Sequence, residues 1–194
     1  MTLISPAYVA QLQALAAKEP MWGTSSRTAL DELPALSEAV KHAGNVLDYG
    51  CGRGGLVSAI NAHNARGRWT TRAMGYDPRN LARWPMPLPI WRGRFGLVTC
   101  TDVLEHVERE YVNAVLKDIA SWVRDDGTIF LSVATTPAIA VLPATDKLPE
   151  RNAHITIENQ DWWRAEFDKA GIVVSEITTT PTGFYGWFER RVSA

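Results

Sequence analysis

Several glycines follow an acidic residue at the end of a short apolar segment. The stretch VLDYGCGRGG occupies residues 46–55, where Asp48 precedes Gly50, Gly52 and Gly54. Glycines let the backbone turn sharply and approach a ligand closely, and a helix that follows such a turn offers unpaired N–H groups. The stretch therefore predicts a turn between a strand and a helix that binds a nucleotide-like ligand.

The glycine spacing fits two cofactor patterns equally well. The dinucleotide pattern G-x-G-x-x-G begins at Gly50, and the D/E-x-G-x-G-x-G pattern of S-adenosylmethionine sites begins at Asp48. Asp77 follows the next predicted strand, in MGYDP, where an acid can accept both hydroxyls of a ribose. Because both cofactors contain a ribose, these residues leave NAD and S-adenosylmethionine open.

A third segment separates the two patterns. FGLVTCTDVLEHV covers residues 95–107, an apolar strand followed by Asp102 and L-E-H-V. With the glycine turn, Asp77 and DDGTIFLSV at 125–133, it resembles the class I S-adenosylmethionine-dependent methyltransferases. The resemblance is to a large bacterial and phage group whose fourth strand ends in D-V-L-E-H, and it extends over residues 21–192. It argues against an NAD-dependent oxidoreductase.

The resemblance implies S-adenosyl-L-methionine as cofactor and S-adenosyl-L-homocysteine as product. The methionine portion would lie beside Asp48 and the backbone of 50–54, and the ribose would lie against Asp77. The cofactor-binding residues that it implies are Asp48, Gly50, Cys51, Gly52, Gly54, Asp77, Pro78, Cys100, Thr101 and Asp102, together with Trp22 and Gly23 on a loop that closes over the cofactor in relatives.

The chain departs from this family between Asp77 and Phe95. Only PRNLARWPMPLPIWRGR stands where relatives have a helix and a further strand. This segment is too short for both, so we expect the helix to be missing and the strand to be reduced to residues 88–91. Relatives complete the adenine pocket here, which leaves the adenine contact open between Trp91 and Arg79.

Two histidines are the candidate catalytic residues. Methyl transfer needs alignment of the reactants, and it needs a general base only when the acceptor must lose a proton. His106 lies just past the strand over 95–100, and His154 lies on the long loop after the next strand. His154 is also a candidate for acceptor binding. The alternatives are a histidine without a catalytic role at 106 and a histidine that bonds loop backbone at 154. Glu105 is expected to be a solvated or helix-start charge.

The acceptor is open between several classes. A small molecule methylated on O, N or C is the first interpretation, with Trp84 and Trp91 as candidate substrate-binding residues. The second is a nucleotide- or nucleic-acid-modifying methyltransferase, favoured by these tryptophans and the arginines between 79 and 94. The third is a non-catalytic S-adenosylmethionine-binding regulatory module. Cys100 follows a threonine rather than a proline, unlike the nucleophile of cytosine C5 enzymes.

Strands and helices must alternate to position these residues. The pattern predicts a helical cap over 1–44, with helices over 6–19 and from 25 or 26 to 42 that Pro34 kinks or splits. It then predicts strands over 45–49, 71–76, 95–100, 128–134, 172–178 and 184–192, and helices over 56–64, 109–123 and 161–170. Such alternation predicts one α/β domain: a doubly wound, Rossmann-like, mostly parallel sheet of six to seven strands, with the last strand antiparallel and helices on both faces.

Bulk properties set outer bounds on function. The length of 194 residues suits a single domain, and a net charge of -1 does not indicate a nucleic-acid partner. The two cysteines have no disulfide or metal-ligand spacing, so no metal is predicted from them. The sequence predicts a soluble cytoplasmic protein without a membrane partner.

Overall fold

A six-stranded mixed sheet organises the chain in a computed structural model that describes residues 3–24, 29–77 and 89–191. The strands are β1 Asn45–Tyr49, β2 Arg72–Tyr76, β3 Phe95–Thr101, β4 Val123–Ala134, β5 Val141–Leu142, β6 Arg151–Asn152, β7 Ile172–Thr180 and β8 Gly183–Arg190. The main sheet has the order β2-β1-β3-β4-β8-β7, and β5 and β6 form a separate pair. Strands β1 to β4 pair in parallel, while β8 is antiparallel to both neighbours. The predicted sheet is confirmed.

Helices cover both faces of this sheet. Those described are α1 Pro6–Lys18, α2 Ala29–Glu32, α3 Pro34–His42, α4 Gly55–Ala65, α5 Val112–Trp122 and α6 Gln160–Lys169. The predicted second helix is split before Pro34, because a proline lacks the N–H that a continuous helix requires. No helix in the described part of the chain is both long and apolar enough to span a bilayer.

Side chains of the central strands alternate between two hydrophobic cores. Val46 and Leu97 pack on one face with residues of α3 and α4. Their neighbours Leu47 and Val98 pack on the other face with residues of α5 and α6. Burial on both faces explains why these strands read as almost continuous apolar runs.

The short segment before β3 differs from the prediction. The expected strand over 88–91 is wrong for its described residues, since Pro89–Trp91 forms a 3-10 turn. A proline cannot donate to a strand ladder, and the ring of Trp91 packs 6.1 Å from that of Phe95 at the amino end of β3. Consequently β2 is an edge strand of the described sheet.

Helix α1 packs on the β5–β6 pair and away from the main sheet. The buried residues of this small core are Tyr8, Leu12, Leu15, Leu142 and Ala153. Gln11 is fully buried, and its Nε2 donates to the carbonyls of Pro143 at 3.0 Å and Pro149 at 2.8 Å. The Oε1 atom of Gln11 accepts a hydrogen bond from Arg151 Nε at 3.0 Å. The predicted helical cap is therefore not one unit. Helix α1 packs on the loop after β4, whereas α3 packs on one face of the main sheet.

Candidate active site

The turn between β1 and α4 requires glycine for its backbone and for its contacts. Gly50, Gly52 and Gly54 have φ values of 76°, 53° and 76°, which side chains disfavour. A Cβ on Gly50 would lie 2.4 Å from a Val103 methyl, and one on Gly52 would lie 2.3 Å from the Gly23 carbonyl oxygen. The turn thus packs directly against the chain after β3 and against the segment after α1.

Asp77 stands at the end of β2 with its carboxylate against this turn. It is 3% exposed, and its Oδ2 accepts a hydrogen bond from the Gly52 N–H at 2.9 Å. The N–H groups of Gly50 and Cys51 donate to the Tyr76 carbonyl at 2.7 and 3.0 Å. A carboxylate offers about four acceptor positions, so Asp77 can hold the turn and also accept ligand hydroxyls.

Asp48 is buried beneath the turn at 1% exposure. Its Oδ1 accepts from the Thr99 hydroxyl at 3.0 Å, and its Oδ2 has no hydrogen-bond partner within the described residues. Burial, followed by the negative charge of Asp77, raises the pKa of Asp48 to about 7, against the opposing effect of the Thr99 bond. The carboxyl of Asp48 therefore keeps its proton to a higher pH than an exposed aspartate does, near the carboxyl end of β1.

The end of β3 carries a strained residue. Asp102 has a φ of 54°, which is uncommon for a residue other than glycine. Its N–H donates to the Ser132 hydroxyl oxygen at 3.0 Å, and that hydroxyl donates to Asp102 Oδ1 at 2.9 Å. Such strain persists where surrounding contacts impose it, and it is typical of ligand sites. Cys100, two residues earlier, is fully buried, and burial raises the pKa of its thiol well above the usual value.

Arg53 joins the glycine turn to the segment after α1. Its backbone N–H donates to the Gly23 carbonyl at 3.0 Å. Its Nε donates to the Trp22 carbonyl at 3.2 Å, and its guanidinium donates to the Ala16 carbonyl at 2.8 Å. These three bonds place Trp22 and Gly23 beside the turn, where the resemblance expected a closing loop.

A cavity of about 660 Å³ opens at the carboxyl ends of β1, β2 and β3. The predicted residues that line it are Trp22, Gly23, Gly50, Asp77, Thr101, Asp102, His106 and His154. Its remaining wall is largely apolar and includes Leu3, Ile4, Leu12, Met21, Pro137, Ala138 and Ile139. No lysine or arginine lines it among the described residues. One cavity thus joins a polar wall at the strand ends to an apolar chamber under α1.

Other predicted residues lie outside this lining. Asp48 lies in β1 and Cys100 in β3, while Cys51, Gly52 and Gly54 lie in the turn after β1, and these five are not among the residues that line the cavity. Trp91 lies beside Asn45 and Arg124 at the opposite, amino end of the sheet, so it is not brought to the cavity. Pro78, Arg79 and Trp84 lie outside the described residues.

The two histidines meet inside the cavity, with ring centroids 4.9 Å apart. His106 Nδ1 lies 2.7 Å from the Ala153 carbonyl oxygen, and His154 Nδ1 lies 2.6 Å from that of Thr136. Since a carbonyl only accepts, each Nδ1 carries the proton, and in the neutral ring the lone pair is then on Nε2. His154 Nε2 lies 4.0 Å from Oε1 of Glu105.

Glu105 is completely buried, so the expectation of a solvated charge is wrong, while its place in the 3-10 turn Leu104–His106 agrees with the helix-start alternative. Its Oε1 accepts from the Ala134 N–H at 3.2 Å, and its Oε2 has no hydrogen-bond partner in the described part of the chain. Burial, together with the negative charge of Asp102, raises the pKa of Glu105 to about 8. Glu105 was not predicted from the sequence as a residue of the cavity. The feature that could have indicated it is an acidic residue between Leu104 and His106, shortly after a buried strand.

The fold and the cavity define a class of protein. A glycine turn after β1, an acid after β2 and a cavity at the strand ends are features of Rossmann-like folds that bind a cofactor with a ribose. Solved structures share this fold at low sequence identity. A S-adenosylmethionine-dependent methyltransferase from Aquifex aeolicus is 14% identical, with a TM-score of 0.58 over 97% of this chain and 100% of that one.

Two further solved structures agree. The 1,6-didemethyltoxoflavin-N1-methyltransferase of Burkholderia thailandensis, solved with 1,6-didemethyltoxoflavin and S-adenosylhomocysteine, is 17% identical. Its TM-score is 0.60 over 100% of this chain and 93% of that one. A S-adenosylmethionine-dependent methyltransferase from Clostridium acetobutylicum is 9% identical, with a TM-score of 0.55 over 86% of this chain and 92% of that one.

The chain belongs to the methyltransferase domain family, whose model matches residues 21–177. No curated protein sequence matches it significantly. The resemblance to class I methyltransferases is thereby confirmed, and S-adenosylmethionine is the cofactor of this fold class.

Proposed function

We propose that the protein transfers a methyl group from S-adenosylmethionine to an O, N or C atom of a small, largely apolar acceptor. One observation carries the proposal: a single cavity joins the predicted cofactor wall to an apolar chamber that contains two histidines. Pockets of 300 to 1,000 Å³ with mostly apolar walls and few polar groups are typical small-molecule sites.

The residues of the polar wall fit the cofactor. Asp77 would accept the ribose hydroxyls, because it is a buried carboxylate on the cavity surface that the Gly52 N–H already orients. The backbone at Gly50 and the strained Asp102 would hold the methionine portion. When bound, S-adenosylmethionine supplies an electrophilic methyl group on a sulfonium.

The chain itself must align the acceptor and exclude water. Alignment alone can lower a barrier by roughly 7 to 11 kcal/mol. The apolar residues of α1 and of the loop after β4 enclose the chamber, and Trp22 stands at its edge beside His106, with rings 5.7 Å apart. For an O–H or N–H acceptor a proton must leave, and His106 and His154 are the candidate groups to assist its removal.

The lining also bears on the alternative acceptors. Binding of a nucleic acid requires cations near its phosphates, and the described lining of this cavity contains none. A largely apolar lining suits a small uncharged acceptor, while Arg79 and Arg83, which favoured a nucleic acid, lie outside the described residues. A regulatory module without transfer remains an outcome of the experiment.

The test uses S-adenosylmethionine labelled with tritium on its methyl group. The purified protein is incubated with extract of its source cells, which is then separated into small molecules, protein and nucleic acid. Label in the small-molecule fraction that Asp77→Asn reduces supports the proposal. Label only in nucleic acid or protein contradicts it, and cofactor binding without transfer to any fraction supports the regulatory alternative.

A further inference from the structure

Three side chains from two distant parts of the chain meet at the chamber wall. Glu105 and His106 lie on a 3-10 turn after β3, and His154 follows β6. One potential ligand atom from each lies within 4.8 Å of the others. The three residues are called the Glu105 cluster below.

Backbone bonds build the Glu105 cluster. The carbonyl of Glu105 accepts the N–H groups of Ile155 at 2.9 Å and Thr156 at 3.0 Å. The ring of His106 bonds the carbonyl of Ala153 on the same segment. The turn that carries Glu105 and His106 is therefore bonded to the segment 153–156 both before and after His154.

Both imidazoles are held in place through Nδ1. Each Nδ1–H donates to a backbone carbonyl, at 2.7 Å for His106 and 2.6 Å for His154. Second bonds of this kind fix the ring and the tautomer of histidines that bind metals through the other nitrogen. For His154, that nitrogen lies 4.0 Å from Glu105 Oε1.

Glu105 has no lysine or arginine partner in the described part of the chain. Its side chain is fully buried, and Oε2 has no hydrogen-bond partner among the described residues. No lysine or arginine from the described chain lines the cavity that it faces. An ionised carboxylate in this position is stable only when it is paired or coordinates a metal, so an ion that binds here must displace the proton of the buried carboxyl.

We propose that Glu105, His106 and His154 bind a divalent first-row transition metal ion, such as Zn²⁺, at the wall of the acceptor chamber. Two imidazoles and one carboxylate are a ligand set of open zinc and iron(II) sites, whereas Mg²⁺ prefers oxygen ligands. Two ligands at about 2.1 Å from a tetrahedral ion are about 3.4 Å apart, so a pair separated by as much as 4.8 Å must close by up to about 1.4 Å when the ion binds.

Three protein ligands leave coordination positions open towards the chamber. An acceptor hydroxyl bound there would have a lowered pKa and would release its proton to solvent water, leaving a nucleophilic oxygen on the ion. In that case the histidines act as ligands rather than as bases. This role rests on the proposed methyl transfer, while ion binding itself does not.

The experiment measures binding of Zn²⁺ alone to the tag-free, chelator-treated protein by calorimetry, with metal content after dialysis as a second readout. We expect one Zn²⁺ per chain. His154→Ala and Glu105→Gln should each weaken binding at least 100-fold, and Mg²⁺ should not compete. His42→Ala is the matched control, because His42 is an exposed histidine that also contacts a carboxylate, that of Glu38 at 2.9 Å.

Co²⁺ in place of Zn²⁺ should give visible absorption bands that His154→Ala abolishes. Wild-type protein that binds no more Zn²⁺ than His154→Ala would overturn the proposal. Circular dichroism and S-adenosylhomocysteine binding show whether each variant is folded. If Glu105→Gln does not fold, His154→Ala alone tests the site, because the His154 side chain is less buried than that of Glu105. Zn²⁺ binding without any S-adenosylmethionine binding would refute the proposed function and leave the metal site standing.

Discussion

Asp77 connects the glycine turn to the cavity through one carboxylate. The Gly52 N–H bond orients it, and its burial excludes competing water. Hydrogen bonds to charged groups contribute about 1.5 to 3 kcal/mol, and each 1.4 kcal/mol is tenfold in affinity.

Replacing Asp77 with Asn should therefore weaken S-adenosylhomocysteine binding roughly 10- to 100-fold, measured by calorimetry. Asn keeps an oxygen that can accept the Gly52 N–H, so the turn should persist. Asp168→Asn, at an exposed carboxylate paired with Arg191, is the control and should bind as wild type does. Equal affinities for all three proteins would refute the ribose assignment.

Asp48 makes stability depend on pH. In the unfolded chain its carboxyl ionises near pH 4, whereas in the folded protein its pKa is about 7 because of burial. Between these values the folded state holds a proton that the unfolded state has lost. The free energy of unfolding must therefore fall as pH rises through this window and level off above pH 7.

Asp48→Asn removes this titration. Relative to wild type, the variant should gain on the order of 2 to 3 kcal/mol in free energy of unfolding between pH 5 and pH 8. Urea denaturation at both pH values measures the difference. Asp126→Asn, at an exposed carboxylate, should change in parallel with wild type. If Asp48→Asn also runs parallel, the carboxyl is already ionised at pH 5.

At the scale of elements, a single side chain joins α1 to the turn before α4. Arg53 donates to the carbonyls of Ala16 and Trp22, and these bonds position the segment that closes one side of the cavity. The side chain is partly solvent-exposed, so each bond contributes modestly.

Arg53→Met keeps most of the stem but removes the guanidinium. Amide hydrogen exchange in residues 16–24 should accelerate roughly 5- to 30-fold, corresponding to about 1 to 2 kcal/mol of local stability, while β1 and β3 keep their protection. Arg66→Met, at an exposed arginine after α4, is the control. Unchanged exchange in residues 16–24 would show that hydrophobic packing of α1 alone holds the segment.

For the whole molecule, the cofactor would touch both the main sheet and the segment after α1. Ligand at 100 times its dissociation constant stabilises the folded state by about 2.7 kcal/mol. For a chain of 194 residues this predicts a rise in Tm of about 5 to 10 °C. Differential scanning calorimetry should show this rise with S-adenosylhomocysteine and none with NAD. A rise with NAD alone would contradict the cofactor assignment.

Local sequence patterns were sufficient to predict the strands of the main sheet. Apolar runs, glycine turns and strand–helix alternation predicted its strands, and the signal is strongest for β1 and β3, which are parallel and buried on both faces. The same rule placed Gly50, Asp77 and Asp102 at one edge, since parallel strands end on the same side. The short segment before β3 was predicted less well, because its prolines prevent strand pairing and the fold places Trp91 at the other end of the sheet.

The sequence by itself determined the class of fold, the glycine turn and the acid at the end of β2, because each depends on neighbours in the chain and on strand direction. The acceptor chamber is formed only by the tertiary structure, because its walls come from distant parts of the chain. The loop after β4 returns under α1, bonds the carbonyl of Glu105 and brings His154 beside His106. Burial of Glu105 results from this packing between distant segments, and no local pattern encodes the environment that makes its carboxylate a metal ligand.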